Sequence, residues 1–323
     1  MYDVVGIDAP CVDLNVNIGR FPVPGGAERV KALSWQGGGK VATGLAACSR
    51  LGAKCAMMGR VGGDIFGDFI VRDLRLHGVD VSAVKITERA SSSLSIVLSD
   101  RATGSRSFLF APGSAPECAL EDIDAEMLRR AKYLFICRAN GVTERAADIA
   151  REAGVQIFID ADGYSEGIAV MIPKIDVFVG SEYFYGGMFG DGGDGLLEEN
   201  CRRIADMGPR IAVFTFGEDG CAGVCEEGFF RLPAFSVETE DTVGAGDVFH
   251  GAFLSGLLRG FPAREAARFA SAAAAIKCTR IGGRAGIPDI GTLERFLRDG
   301  VIDYAEIDKR VEFYGRGLEN VYG

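Results

Sequence analysis

Short apolar runs and longer amphipathic stretches take turns along the second half of this 323-residue chain, and that alternation leaves few folds open. Residues 133–137, 155–160, 177–179 and 211–216 have the length and apolar content of buried strands. Between and after them, 142–153, 196–207, 247–259 and 263–278 carry apolar residues at helical spacing. Strands separated by helices pair in parallel, because a parallel neighbour needs a crossover that returns the chain to the same edge. Sheets of that kind are covered by helices on both faces. Upstream, 3–8 reads as a further strand and 44–52 and 66–77 as further helices, the last with Phe66, Phe69, Ile70 and Leu74 in register. The expected class is α/β, with a mostly parallel central sheet between two helical layers.

Four segments do not fit that scheme. Residues 12–18, 28–36, 91–99 and 105–111 alternate polar and apolar, as strands with one solvated face do, and 101–104 reads as a hairpin turn. They predict a small antiparallel sheet inserted in two pieces, about 12–36 and 88–110, into one continuous domain spanning 1–323. Residues 185–195 are rich in glycine and read as a mobile surface loop; Asp191 and Asp194 lack the ligand spacing and closing glutamate of a calcium loop. No apolar stretch nears the roughly 20 residues a membrane-spanning helix needs. The start, Met-Tyr-Asp-Val-Val-Gly-Ile-Asp, reads as a strand rather than a signal peptide. Nine scattered cysteines, an odd number without zinc-site spacing, point to reduced thiols and a cytoplasmic setting. A net charge of −10 argues against nucleic acid as a partner.

The chemistry is concentrated in Gly244-Ala245-Gly246-Asp247, at the start of the helix 247–259. A glycine-rich turn entering a helix leaves backbone N–H groups unpaired at the positive end of the helix dipole, which is a site for phosphate. A carboxylate there would repel a lone anion, but it suits a neutral hydroxyl beside the phosphate whose proton it accepts. The run therefore points to phosphoryl transfer from a nucleotide to an alcohol. A phosphate-binding loop of the Gly-x-x-x-x-Gly-Lys-Ser/Thr type is absent, since Gly39-Lys40 is followed by Val41, and so are the protein-kinase motifs. Ala9-Pro10-Cys11 after the first strand argues against a nicotinamide dinucleotide fingerprint.

Asp241-Thr242-Val243-Gly244-Ala245-Gly246-Asp247, with the glycine runs 37–44 and 59–67 and the segment 278–288, resembles the ribokinase-like (PfkB) carbohydrate kinase family. The resemblance runs in family order along nearly the whole chain. It implies a three-layer α/β/α fold in which the two inserted pieces form a β-sheet lid, often a dimer contact, so a homodimer through the lid is expected. It implies ATP, Mg²⁺ and a sugar of ketohexose or pentose type, phosphorylated on a hydroxymethyl group by in-line attack. Asp247 would be the general base, and Gly244, Ala245 and Gly246 the anion hole. Asp13, Gly38 and Gly39 would meet the sugar, with Thr43 standing where the family usually has asparagine. Arg138 is a candidate for substrate contact or for a structural salt bridge. Thr215, Gly217 and Gly220 match the family's nucleotide-binding turn, which could equally be a hairpin between strands 211–216 and 221–225. Ser181 and Glu182 fall where the family's metal-linked Asn-x-x-Glu is expected, in a degraded form, and Asp160 and Asp162 have a claim on the metal. Asp241 and the loop 280–286 match the place where many relatives bind a monovalent cation, so K⁺ activation is expected. Two other readings remain, a nucleoside kinase of the same fold and a non-catalytic ligand-binding relative.

Overall fold

The computed structural model describes residues 1–100, 105–190 and 194–318, so the hairpin turn expected at 101–104 and Asp191 of the glycine-rich stretch lie outside the described residues. The chain opens with β1 (Tyr2–Ile7), β2 (Cys11–Ile18) and β3 (Val30–Gly38), then α1 (Lys40–Arg50), β4 (Cys55–Gly62), α2 (Ile65–Leu76) and β5 (Asp80–Thr87). A second excursion forms β6 (Leu94–Asp100) and β7 (Arg106–Ala111). Helices and strands then alternate, with two helices in succession before the last strand: α3 (Ala125–Arg129), β8 (Ala131–Ile136), α4 (Gly141–Glu152), β9 (Gln156–Ala161), α5 (Glu166–Met171), β10 (Val177–Ser181), α6 (Glu182–Phe189), α7 (Leu197–Asp206) and β11 (Ile211–Thr215). The hairpin β12 (Cys221–Cys225) and β13 (Gly228–Leu232) precedes α8 (Ala245–Leu258), α9 (Ala263–Cys278), α10 (Ile290–Asp299) and α11 (Ala305–Gly315).

Nine strands form one sheet in the order β13-β12-β11-β10-β9-β8-β1-β4-β5. Every pairing from β11 to β5 is parallel, and only β12 and β13 at one edge run antiparallel. Successive side chains on a strand point to opposite faces, and here the two faces feed separate cores. Val4, Phe135, Phe158 and Val213 pack with α1, α2, α8 and α9, while their neighbours Val5, Leu134, Ile159 and Phe214 pack with α4, α6 and α7. Strands apolar on both faces are the mark of a covered parallel sheet. Each buried Phe or Ile contributes about 2 kcal/mol relative to exposure. The expected three-layer α/β architecture is therefore present.

The second sheet has four strands in the order β3-β2-β6-β7. It is mixed rather than antiparallel, because β2 and β6 pair in parallel across its centre. Each pair joined by a short connection, β2 with β3 and β6 with β7, is antiparallel. The two hairpins meet through strands separated by a long crossover, so the central pair can run in the same direction. Helix α6 also corrects the reading of 185–195 as a loop over 185–189: Ser181 caps it, accepting from the N–H of Tyr183 at 3.0 Å and of Phe184 at 3.4 Å. Buried Phe184 and Tyr185 then pin that helix to the sheet. Strands β4, β5 and β13 and helices α3, α5, α10 and α11 had no sequence expectation.

Candidate active site

Asp8, Arg138, Asp162, Ser181 and Thr215 all stand at or just beyond the carboxyl ends of parallel strands. Open α/β sheets bind ligands outside that edge. Helices α1 and α8 bring their N-termini to the same place because they pack backbone against backbone. A Cβ at Gly251 would stand 2.8 Å from the carbonyl carbon of Gly44, so only glycine permits this approach. The result sets Lys40, the first residue of α1, beside the Gly244–Asp247 turn.

Gly244 caps α8 in the left-handed conformation, φ 72°, with no side-chain cap. A Cβ there would meet Gly283 Cα at 2.7 Å, which makes the residue glycine on two counts. The N–H of Ala245 turns back to the Thr242 carbonyl at 3.2 Å and that of Val248 bonds Gly244 O at 3.0 Å. Those of Gly246 and Asp247 lie between, in the first turn where a helix has no acceptor for them. The space beside Gly246 is open. Asp247 is half-buried in this cleft and not sealed in an apolar interior. Burial, then the charge of Asp160 and further those of Asp162 and Asp13, push its pKa well above the usual carboxylate value, against the pull of Lys40. The group is a stronger base than an exposed aspartate.

Lys40 is a site residue that the sequence reading considered only to reject a phosphate loop. Its Nζ lies 2.6 Å from Asp162 Oδ2. Burial works against its ammonium form, but Asp160, Asp162 and Asp247 outweigh it and raise its pKa. Asp160 is buried, and neither of its oxygens accepts a hydrogen bond among the described residues. Burial raises its pKa while His250, 3.5 Å away, and Lys40 lower it. His250 in turn lies 2.5 Å from the Gly246 carbonyl. Four acids and one lysine thus share a single field, and charges meeting across long sequence separations leave no local pattern to read.

On the opposite side, Asp13 of β2 accepts from the Cys11 thiol at 3.4 Å and lies against the Gly38 backbone. Burial raises its pKa to about 6, eased by Cys11 and Arg284 and reinforced by Asp73. Gly39 caps α1 with φ 96°. Thr43 is buried and its hydroxyl accepts from Arg284 Nε at 3.2 Å, so it supports the glycine strand from behind. Fully buried Arg284 also donates to the Gly38 carbonyl at 2.9 Å and pairs with Asp73, which Tyr314 hydrogen-bonds. Arg138 forms salt bridges with Asp8 and Glu117, each at 3.2 Å, and its side chain stays partly exposed in a small cavity with Asn140. Of its two expected roles, the structural one is present.

Among the residues expected to meet the nucleotide, the Ser181 hydroxyl bonds the Asp162 carbonyl, joining the ends of β9 and β10. Thr215 follows on β11, its hydroxyl 3.4 Å from the Gly180 carbonyl. Gly217–Asp219 forms one 3-10 turn and Gly220 leads into β12, so the expected turn does close a hairpin. Glu182 is exposed at the start of α6. Among the described residues no three His, Cys, Asp or Glu side chains form a metal cage. A magnesium ion on a nucleotide needs only one or two carboxylates besides phosphate and water oxygens. The unbonded carboxylate of Asp160, with Asp162 beside it, meets that requirement.

Asp241 is buried at the start of the motif. Its Oδ1 accepts from the Val243 N–H at 3.0 Å and the Ser99 hydroxyl at 3.4 Å, its Oδ2 from the Gly282 N–H at 2.9 Å, and its carbonyl from Lys277 Nζ at 2.7 Å. It ties β6 of the small sheet and the 280–286 loop to the segment leading into the Gly244–Asp247 turn. A monovalent ion would find every oxygen of Asp241 already engaged.

The profile of the pfkB family carbohydrate kinases matches residues 1–290. A 5-dehydro-2-deoxygluconokinase of Clostridium perfringens is 26% identical, aligned over 96% of each chain. An ATP-dependent ribose-1-phosphate kinase of Halopiger xanaduensis is 28% identical over 89% of this chain and 95% of that one. The structure of Arabidopsis thaliana ribokinase complexed with ribose and ATP superposes with a TM-score of 0.79 at 23% identity, covering 92% of this chain and 99% of that one.

Proposed function

The chain belongs to the pfkB family of carbohydrate kinases, and from that premise we propose that it transfers the γ-phosphate of ATP to a hydroxymethyl group of a ketohexose- or pentose-type sugar. The observation that carries the reading is Asp247, a carboxylate of raised pKa at the uncapped start of α8, with open space beside Gly246.

The N–H groups of Gly246 and Asp247 donate to the oxygens of the migrating phosphoryl group, where charge accumulates in the transition state. Asp247 accepts the proton of the attacking hydroxyl. Its raised pKa suits a base that takes a proton as the O–P bond forms. Lys40 offsets the acids around Asp247, so a polyanionic nucleotide can approach them. The Asp13 carboxylate accepts hydrogen bonds from sugar hydroxyls, and the bare backbone of Gly38 and Gly39 admits the sugar closely. Ser181, Thr215, Gly217 and Gly220 line the path of the nucleotide along the strand ends. Mg²⁺, held by Asp160 and Asp162, would supply charge neutralisation on the phosphates.

A second copy of the chain covers the outer edge of the small sheet. Strand β7 is exposed along its whole length and shows Phe108, Leu109 and Phe110 at 45%, 55% and 76% exposure. An apolar edge strand left open is an invitation to pairing.

Coupled ADP release against a panel of sugars and nucleosides, including ribose, ribose 1-phosphate, fructose, 5-dehydro-2-deoxygluconate and adenosine, tests the reading. Turnover with a sugar is expected; turnover with adenosine alone would favour a nucleoside kinase, and none at all a non-catalytic relative.

A further inference from the structure

Lys277 is the penultimate residue of α9, and its side chain is fully buried. A buried ammonium is costly unless it is paired and hydrogen-bonded. Its Nζ donates to the Asp241 carbonyl at 2.7 Å. The same Asp241 carries a buried carboxylate whose two oxygens accept from Val243, Gly282 and Ser99, all of them uncharged donors. Burial raises the pKa of the neighbouring Cys278 thiol, which Lys277 lowers and Asp241 raises, so both charges act on the same sulfur. The backbone closes the arrangement, since the Cys278 carbonyl accepts from the N–H of Glu240 at 2.8 Å and of Asp241 at 3.1 Å.

The place where a dissociable monovalent cation was expected therefore holds a cation on a tether. An ion there would need oxygens from Asp241 and the 280–286 loop. Those of Asp241 are engaged by protein hydrogens, and the loop is drawn onto Asp241 by Gly282. Asp241 begins the run that turns into α8 through Gly244, so whatever fixes residue 241 fixes the approach to Gly246 and Asp247. A covalently attached ammonium does this without the entropy of capturing an ion from solution.

We propose that Lys277 Nζ is the built-in counter-charge of this site, a positioning residue that replaces a bound monovalent cation and makes nucleotide binding independent of potassium. The proposal rests on the reading of the 244–247 turn as the phosphate cradle.

The test is MgATP binding by calorimetry, with thermal unfolding alongside, at equal ionic strength in KCl, NaCl and choline chloride. For the unaltered protein the dissociation constants agree within about twofold, and KCl does not raise the melting temperature over choline chloride. Lys277→Ala in choline chloride loses about tenfold or more in MgATP affinity, the worth of one charged hydrogen bond, and KCl or NH₄Cl restores part of it by entering the vacated space. Tighter MgATP binding by the unaltered protein in KCl, beyond twofold, overturns the proposal. So does a Lys277→Ala protein that binds normally in choline chloride, or one whose loss neither K⁺ nor NH₄⁺ repairs. If Lys277→Ala does not fold, the salt comparison on the unaltered protein decides alone. Failure of the unaltered protein to bind MgATP in every salt sinks the phosphate-cradle reading, and the tethered charge falls with it.

Discussion

Gly251→Ala puts one methyl group where α8 crosses α1, six residues beyond the first residue of α8. The new Cβ would stand 2.8 Å from the carbonyl carbon of Gly44, nearer still to its oxygen, and 3.0 Å from Ala47 Cβ. Ordinary contact begins near 3.4 Å, so the helices must part by about 1 Å at the crossing. Overpacking of this kind costs about 1–3 kcal/mol, against which alanine returns nearly 1 kcal/mol of helix propensity. Net destabilisation of about 1 kcal/mol lowers the melting temperature by only a few degrees in a chain of this size. The effect on turnover is larger, because α8 carries Asp247 and α1 carries Lys40. Displacing a reacting group by about 1 Å costs on the order of 10²-fold in rate, equivalent to about 2.7 kcal/mol of barrier. The expected result is a folded protein with kcat down about 100-fold and a melting temperature close to that of the parent. Calorimetry and coupled ADP release measure the two. Gly246→Ala is the control: its Cβ enters open space, so stability holds while MgATP affinity drops. A Gly251→Ala enzyme with parental kcat would refute the claim that this helix crossing sets the geometry of the site.

Asp247→Asn should lower kcat by about 10²–10⁴-fold, the usual worth of a general base, while raising the melting temperature, since it removes a charge that burial and Asp160 disfavour; parental kcat in ADP release would contradict the assignment. Asp13 binds its proton near pH 6, above the ordinary aspartate value, so below that pH it is neutral and no longer accepts two hydroxyl bonds. Equilibrium sugar affinity, measured without nucleotide, should therefore weaken as pH falls through about 6, and Asp13→Asn should be weak and flat across the range; a parental pH step in Asp13→Asn would show that another group titrates. Phe110→Asp on β7 should convert a particle near twice the 34.3 kDa protomer mass into a single protomer in sedimentation; a parent that already sediments at the protomer mass removes the dimer proposal.

The alternation of apolar runs determined the parallel sheet and its two helical layers, because strand and helix periodicities are local and leave their mark within ten or fifteen residues. The Gly-Ala-Gly-Asp turn was legible for the same reason: an uncapped helix start is made by four consecutive residues. The direction of β6 against β2 was not, since pairing between distant segments is decided by the crossover and not by either strand's own pattern. Nor was the raised pKa of Asp247, which comes from burial and from Asp160 and Asp162 at the end of β9 and Asp13 of β2, all distant in sequence. Thr43 and Arg284 are 241 positions apart and exchange a hydrogen bond that removes Thr43 from the open cleft. Lys277 stands in the last turn of α9 and drew no expectation from the sequence; tertiary packing buries it against the Asp241 carbonyl. Local chemistry can be read from neighbours in sequence, whereas the charge a group carries depends on neighbours in space, and only the folded chain chooses those.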